Sequence, residues 1–170
     1  FGATTAGDTP EACSDSQLLL PIAPIETDLL WQNLEKLGAQ GSSPLTFALQ
    51  EAAKDLKPHV SEDRVILLLT DGKESCNLDP CQAAKEIYSK DQIVIHVVAF
   101  DVAQNDEPAL QCIAQQSRGA FLLARTREEL GSALDEAIRS TIPYNLRLKV
   151  LVGGSPLPSR MGRLATKWVE

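Results

Sequence analysis

Several features that would tie a chain to nucleic acid, membrane or zinc are scarce in this sequence. Lysine and arginine number 16 against 23 acidic residues, giving a formal charge of -7 and a pI near 4.9. That balance argues against a polyanionic partner, whose phosphates are neutralised by clustered basic side chains. No apolar run approaches the roughly 20 residues needed to cross a bilayer; VILLL at 65–69 is representative of the longest. There are only two histidines, His59 in a polar stretch and His96 inside an apolar one, and Cys76 and Cys81 have the spacing C-x4-C, which matches no zinc ribbon. Aromatic residues make up 5% of the chain, and Trp31 and Trp168 lack the interleaved basic patch that would make a base-stacking surface. The opening FGATTAGDTPEACSDS has no basic leader, no apolar centre and no initial Met, so either a signal has been removed or the sequence is a fragment.

What is present fits one soluble globular core. The 170 residues are 44% hydrophobic and 23% charged, which is ordinary for a folded domain. QLLLPIAPI at 17–25 reads as a short extended segment at a sheet margin, because Pro21 and Pro24 fit an edge strand but not a central one. Leu29, Leu30, Leu34 and Leu37 predict a helix over 28–37, with Thr27 as its cap and Gly38 as its stop. GSSPLTFALQEAAKDL predicts a second helix, with Ser43 as N-cap, Pro44 at the first helical position and an apolar face running from Leu45 to Leu56.

The continuous apolar run RVILLLTDG at 64–72 ends abruptly in Thr, Asp and Gly, as expected of a strand buried on both faces of a parallel sheet. A helix over Pro80–Lys90, a buried strand near 93–100, a helix in DEPALQCIAQQSRG, a short strand in GAFLLA and a helix in REELGSALDEAIRS follow. This alternation predicts an α/β fold of the doubly wound class, a mostly parallel sheet with helices on both faces and ligands bound beyond the carboxyl ends of the strands. YNLRLKVLVGG then alternates Leu146, Leu148, Val150 and Val152 with Asn145, Arg147, Lys149 and Leu151, so 143–170 reads as the start of a truncated β-rich domain or tail.

Asp71 at a strand end, with Ser42 and Ser43 in the turn before the second helix, forms the most suggestive polar group. Hard cations take oxygen ligands, usually one or two carboxylates plus waters, so a carboxylate and a hydroxyl make a suitable half-site. By composition alone, a Ser before Pro is more often a helix cap and an Asp before Gly more often a turn residue. His96 fits a satisfied sheet histidine; Asp101 ends that strand, and Asp106 and Glu107 fit ordinary helix-start charges, with an acidic rim of the three as the alternative.

GSSPLTFALQEA, VILLLTDGKESCNLDPC, and IVIHVVAFDV followed by LQCIA and RGAFLLA resemble, in that order, the von Willebrand factor A family of bacterial extracytoplasmic proteins. The resemblance covers roughly residues 11–142. It implies a metal-ion-dependent adhesion site, in which Ser43 matches the hydroxyl of the Gly-x-Thr/Ser-Pro-Leu turn and Asp71 the Asp of the Thr-Asp-Gly strand end. The family's first element, Asp-x-Ser-x-Ser after the first strand, has no counterpart here; CSDSQ at 13–17 has neither the spacing nor a preceding strand.

Residues 1–142 therefore read as an amino-terminally truncated domain lacking the family's first strand and helix. Mg²⁺ (or Mn²⁺ or Ca²⁺) is expected in the complete protein and only weakly, if at all, in this fragment. The implied function is metal-assisted binding, without catalysis, of a protein or surface ligand that offers an Asp or Glu carboxylate. The alternatives are a structural spacer with a degenerate metal site and, behind it, a metal-dependent hydrolase for which Lys73 is the only nearby phosphate-handling candidate.

Four cysteines, an even count, suit disulfides in an oxidising compartment and hence a periplasmic, secreted or cell-surface protein. Cys76, Cys81 and Cys112 also match cysteine positions of the family subset. Three connectivities are open: consecutive crossover helices lying side by side favour Cys81 with Cys112, leaving Cys13 with Cys76, while a local Cys76–Cys81 bridge and a buried free Cys112 thiol are the alternatives.

Overall fold

The computed structural model describes residues 1–2, 5, 9–24, 26–37, 42–59 and 63–141. A 3-10 turn (Ala12–Ser14) and helix α1 (Thr27–Leu34) precede α2 (Leu45–Leu56), β1 (Val65–Thr70), α3 (Pro80–Asp91), β2 (Val94–Phe100), α4 (Glu107–Gln116), β3 (Phe121–Ala124) and α5 (Arg127–Thr141). The strands form one parallel sheet in the order β1-β2-β3, with Val65 opposite Val94 through Thr70 opposite Ala99, and Val97 opposite Phe121 through Phe100 opposite Ala124. The α/β class with helices on both faces is thus as the alternation predicts. The expected β segment over 143–170 lies outside the described residues.

Strand periodicity sorts the side chains between two layers. Ile66 and Leu68 of β1 and Ile95, Val97 and Ala99 of β2 face α2, α3 and α4, where Leu45, Leu49, Ile87, Leu110 and Ile113 complete the larger core. On the other face Val98 and Ala124 pack against Ala133 and Ala137 of α5, with Phe100, Leu122, Leu130 and Leu134 around them. β2 is central and nearly wholly buried, which is why its sequence is an almost unbroken apolar run. β1, expected to be buried on both faces, is corrected: it forms the margin of the described sheet, and on the α5 side its Leu67 and Leu69 are 39% and 45% exposed.

Local chemistry sets the helix ends. Asp79 caps α3, its carboxylate accepting from the Gln82 N–H at 3.0 Å, with Pro80 in the first turn. α3 stops where Gln92 takes a left-handed conformation, φ 55°. At the start of α5 the Thr126 hydroxyl accepts from the Glu129 N–H while the Glu129 carboxylate accepts from the Arg125 N–H, a reciprocal pair like a capping box. Between α4 and β3 the chain runs so close to β2 that a Cβ on Gly119 would stand 1.9 Å from the Ile95 carbonyl oxygen. Ser117, fully buried beside it, accepts from the Ile95 N–H and reaches the Ile113 carbonyl.

Two expectations near the amino end are corrected. Residues 17–24 form no strand: Leu20 and residues 22–24 are bends, and Leu18 and Ile22 are exposed. Pro21 and Pro24 have no N–H to donate to a neighbouring strand, which leaves the segment poorly equipped for pairing. Residue 25, the end of the expected segment, lies outside the described residues. The helix expected over 28–37 ends at Leu34, and none of its residues is buried; Trp31 is 60% exposed. Gly38, its expected stop, also lies outside the described residues.

Candidate functional site

The carboxyl ends of the strands carry the polar rim. At the end of β1 the Gly72 N–H donates to the Thr70 hydroxyl, which donates in turn to the Gly72 carbonyl at 2.8 Å. This tight turn leaves Asp71 exposed at its crest, with no side-chain hydrogen bond or ion pair among the described residues. The loop then runs alongside the start of α2: the Ser43 N–H donates to the Ser75 hydroxyl at 2.7 Å, and the Ser75 N–H donates to the Ser43 carbonyl at 3.2 Å. The structure therefore brings together the two segments that carry Ser43 and Asp71.

The expected cap at Ser43 is corrected. The residue before α2 is Pro44, and no side chain at that position caps the helix. The capping place is taken from the neighbouring loop by Glu74, whose Oε2 accepts from the Thr46 N–H and whose Oε1 accepts from the Cys76 N–H, both at 2.8 Å. A carboxylate is well suited to the exposed N–H groups of a helix start. With Glu74 in that position, the Ser43 hydroxyl has no hydrogen-bond partner among the described residues.

Other rim charges are engaged with one another. Lys73 pairs with Asp106 at 2.9 Å, and Arg125 pairs with Glu107 while donating to the Val102 carbonyl. The acidic rim considered for Asp106 and Glu107 is thus neutralised, and Lys73 is turned to a carboxylate. Asp101 is exposed, with φ 51°. His96 lies on the α5 face of β2, away from this rim, and its Nδ1 accepts from the Ala120 N–H at 2.9 Å; burial holds its pKa below the usual imidazole value. A concavity of about 240 Å³ opens at the amino ends of the strands, between Arg64, Gln92, His96 and Arg118, and includes neither Ser43 nor Asp71.

Two disulfides brace the molecule near this rim. Cys13 is bonded to Cys76, immediately after Ser75, and Cys81 of α3 is bonded to Cys112 of α4. The Cα separations are 5.6 and 5.4 Å, ordinary for disulfides. The local Cys76–Cys81 bridge is not formed, and no described cysteine is free.

A hard cation needs oxygen donors, and the Ser43 hydroxyl and Asp71 carboxylate are of that kind. The Thr46 hydroxyl is buried in the first turn of α2 without a hydrogen-bond partner, an orphaned oxygen in the same neighbourhood. Among the described residues, however, no group of three or more His, Cys, Asp and Glu side chains is gathered as a metal cluster. The residues present fit part of a six-oxygen shell rather than a whole one.

A parallel sheet flanked by helices, with its unengaged oxygen donors beyond the carboxyl ends of the strands, defines a ligand-binding domain of the open α/β class. The model of the von Willebrand factor type A domain matches residues 26–137, and the chain belongs to that family. It is 32% identical over 99 residues to the uncharacterized protein YwmC of Bacillus subtilis (strain 168), covering 58% of this chain and 43% of that one. To YwmD of the same organism it is 24% identical over 129 residues, covering 74% and 57%. The chain thus spans about half the length of these relatives.

Among solved structures it resembles a von Willebrand factor type A protein from Catenulispora acidiphila, with TM-score 0.54 and 17% identity over 67% of this chain and 26% of that one. It also resembles the conserved hypothetical protein BatB from Bacteroides thetaiotaomicron, with TM-score 0.51 and 18% identity over 69% and 71%. At these identities the likeness shows the fold. Membership of the family supports a general interaction or binding module, and no helix among the described residues is long and apolar enough to cross a membrane.

Proposed function

We propose that this domain captures a partner protein or surface through a divalent cation, and that it does so outside the cytoplasm. The observation that carries the reading is the division of labour at the start of α2. Glu74 takes the Thr46 N–H at the helix start, the Ser43 hydroxyl has no partner among the described residues, and Asp71 presents an exposed carboxylate on the adjoining loop. Ser43 and Asp71 would hold Mg²⁺ or Mn²⁺ as part of its shell, and the bound ion would supply an open coordination position for an Asp or Glu of the partner. The two disulfides support an oxidising, extracytoplasmic setting. The pairing of Lys73 with Asp106 weakens the hydrolase alternative, since it engages the one nearby phosphate-handling candidate.

The test is Mn²⁺ titration of the full-length protein that carries this chain, followed by electron paramagnetic resonance, with Ser43→Ala and Asp71→Asn alongside. Each substitution is expected to weaken binding by at least about tenfold, the equivalent of about 1.4 kcal/mol. Unchanged affinity in Asp71→Asn would remove the site from these residues. A wild-type protein that binds no cation would favour the metal-free spacer.

A further inference from the structure

We infer that Glu74 is the positioning residue of this rim: its carboxylate clamps the loop that carries Asp71 to the helix start that carries Ser43. This inference rests on the proposed site for its functional meaning, but the clamp itself is read from the geometry. Glu74 follows Asp71 closely in the same loop, and its two oxygens are divided between two segments. One accepts from the Thr46 N–H of α2 and the other from the Cys76 N–H of its own loop, both at 2.8 Å. A single carboxylate thus closes a bridge 28 residues long in sequence on one side and 2 residues long on the other.

Beside that bridge, hydrogen bonds in both directions join Ser43 to Ser75, so Glu74 and Ser75 act as consecutive rungs between the same two segments. Lys73 ties the loop to Asp106 on the far side. Of the residues joining the loop to α2, only Glu74 supplies charge-assisted acceptors, which make the stronger kind of hydrogen bond. Its removal would leave the Thr46 N–H at the helix start without its acceptor and free the loop to move relative to Ser43. Gln is an informative replacement, because its one carbonyl oxygen accepts from one N–H while its amide group cannot accept from the other.

The test compares wild type, Glu74→Ala and Glu74→Gln in the full-length protein, by amide hydrogen exchange and by Mn²⁺ titration. Glu74→Ala is expected to speed exchange at Thr46 and Cys76 at least about tenfold, and also at Ser43 and Ser75, whose amides Glu74 does not bond. Glu74→Gln is expected to release one of Thr46 and Cys76 more than the other. Mn²⁺ affinity is expected to fall at least about tenfold in Glu74→Ala, with the global unfolding midpoint changed far less than by a core substitution. If exchange speeds only at Thr46 and Cys76, Glu74 is a local cap and the clamp is refuted. If all four amides speed up while Mn²⁺ affinity holds, the clamp does not position the ion ligands, and the inference falls. If wild type binds no Mn²⁺, the metal reading fails, and the amides of Ser43 and Ser75 still decide whether Glu74 holds the two segments together.

Discussion

Gly119→Ala tests whether the turn between α4 and β3 is pressed against β2 as described. An added Cβ would lie 1.9 Å from the Ile95 carbonyl oxygen, 2.5 Å from its carbon and 3.0 Å from the His96 nitrogen, whereas ordinary contact begins at 3.4 Å. Relief requires a movement of about 1.5 Å, and every atom in the way is backbone of the central strand. Such a shift would stretch the bonds from the Val97 N–H to the Ala120 carbonyl and from the Ala120 N–H to His96 Nδ1, both 2.9 Å. Two such bonds at about 1 kcal/mol each, with about 1–2 kcal/mol for disturbed packing, give a loss of about 3–4 kcal/mol.

Gly131→Ala is the matched control: nothing lies within 4 Å of its added Cβ on α5. It should gain about 0.5–1 kcal/mol from helix propensity. The assay is urea unfolding followed by far-UV circular dichroism, and the two variants should differ by about 4 kcal/mol. Should Gly119→Ala prove too unstable to purify alone, the double variant with Gly131→Ala supplies the comparison. A loss below about 1 kcal/mol for Gly119→Ala would refute the close approach.

The remaining predictions concern His96 and the cysteines. Burial lowers the His96 pKa, so the unfolded chain binds a proton more readily; its contribution to stability is expected to be full above about pH 6.5 and to be lost as pH drops below that value. His96→Asn keeps an acceptor for the Ala120 N–H without the titration, and an equally steep acid loss in that variant would discount His96. For the disulfides, sequence separations of 63 and 31 residues correspond to about 4 kcal/mol each in the chain-entropy model. Thermal unfolding of Cys13→Ala/Cys76→Ala and Cys81→Ala/Cys112→Ala should show comparable losses, and an effect below about 1 kcal/mol for either pair would contradict its constraint on the fold.

The fold was legible where periodicity and burial agree. The nearly unbroken apolar run before Asp101 reads as a strand buried on both faces because β2 packs on α2–α4 on one side and on α5 on the other, whereas the similar run before Asp71 is buried on one face and has Leu67 and Leu69 exposed on the other. The segment 17–24 misled because apolar residues with two prolines look the same whether they edge a sheet or lie along a surface; only the absence of pairing separates the cases. At the candidate site, Ser43 and Asp71 were singled out through motif resemblance, but Glu74 was not. Its role depends on a contact across 28 residues, and a Glu in a polar loop carries no local signal for it. The cap assigned to Ser43 was the local solution, and a tertiary contact replaced it.

The pairing of the cysteines also bears on how the chain is made. Cys13 joins Cys76 and Cys81 joins Cys112, so the bonds link first with second and third with fourth and do not interleave. A polypeptide delivered amino end first to an oxidant presents the first pair before the second has arrived. Within this stretch each bond can close in order of appearance.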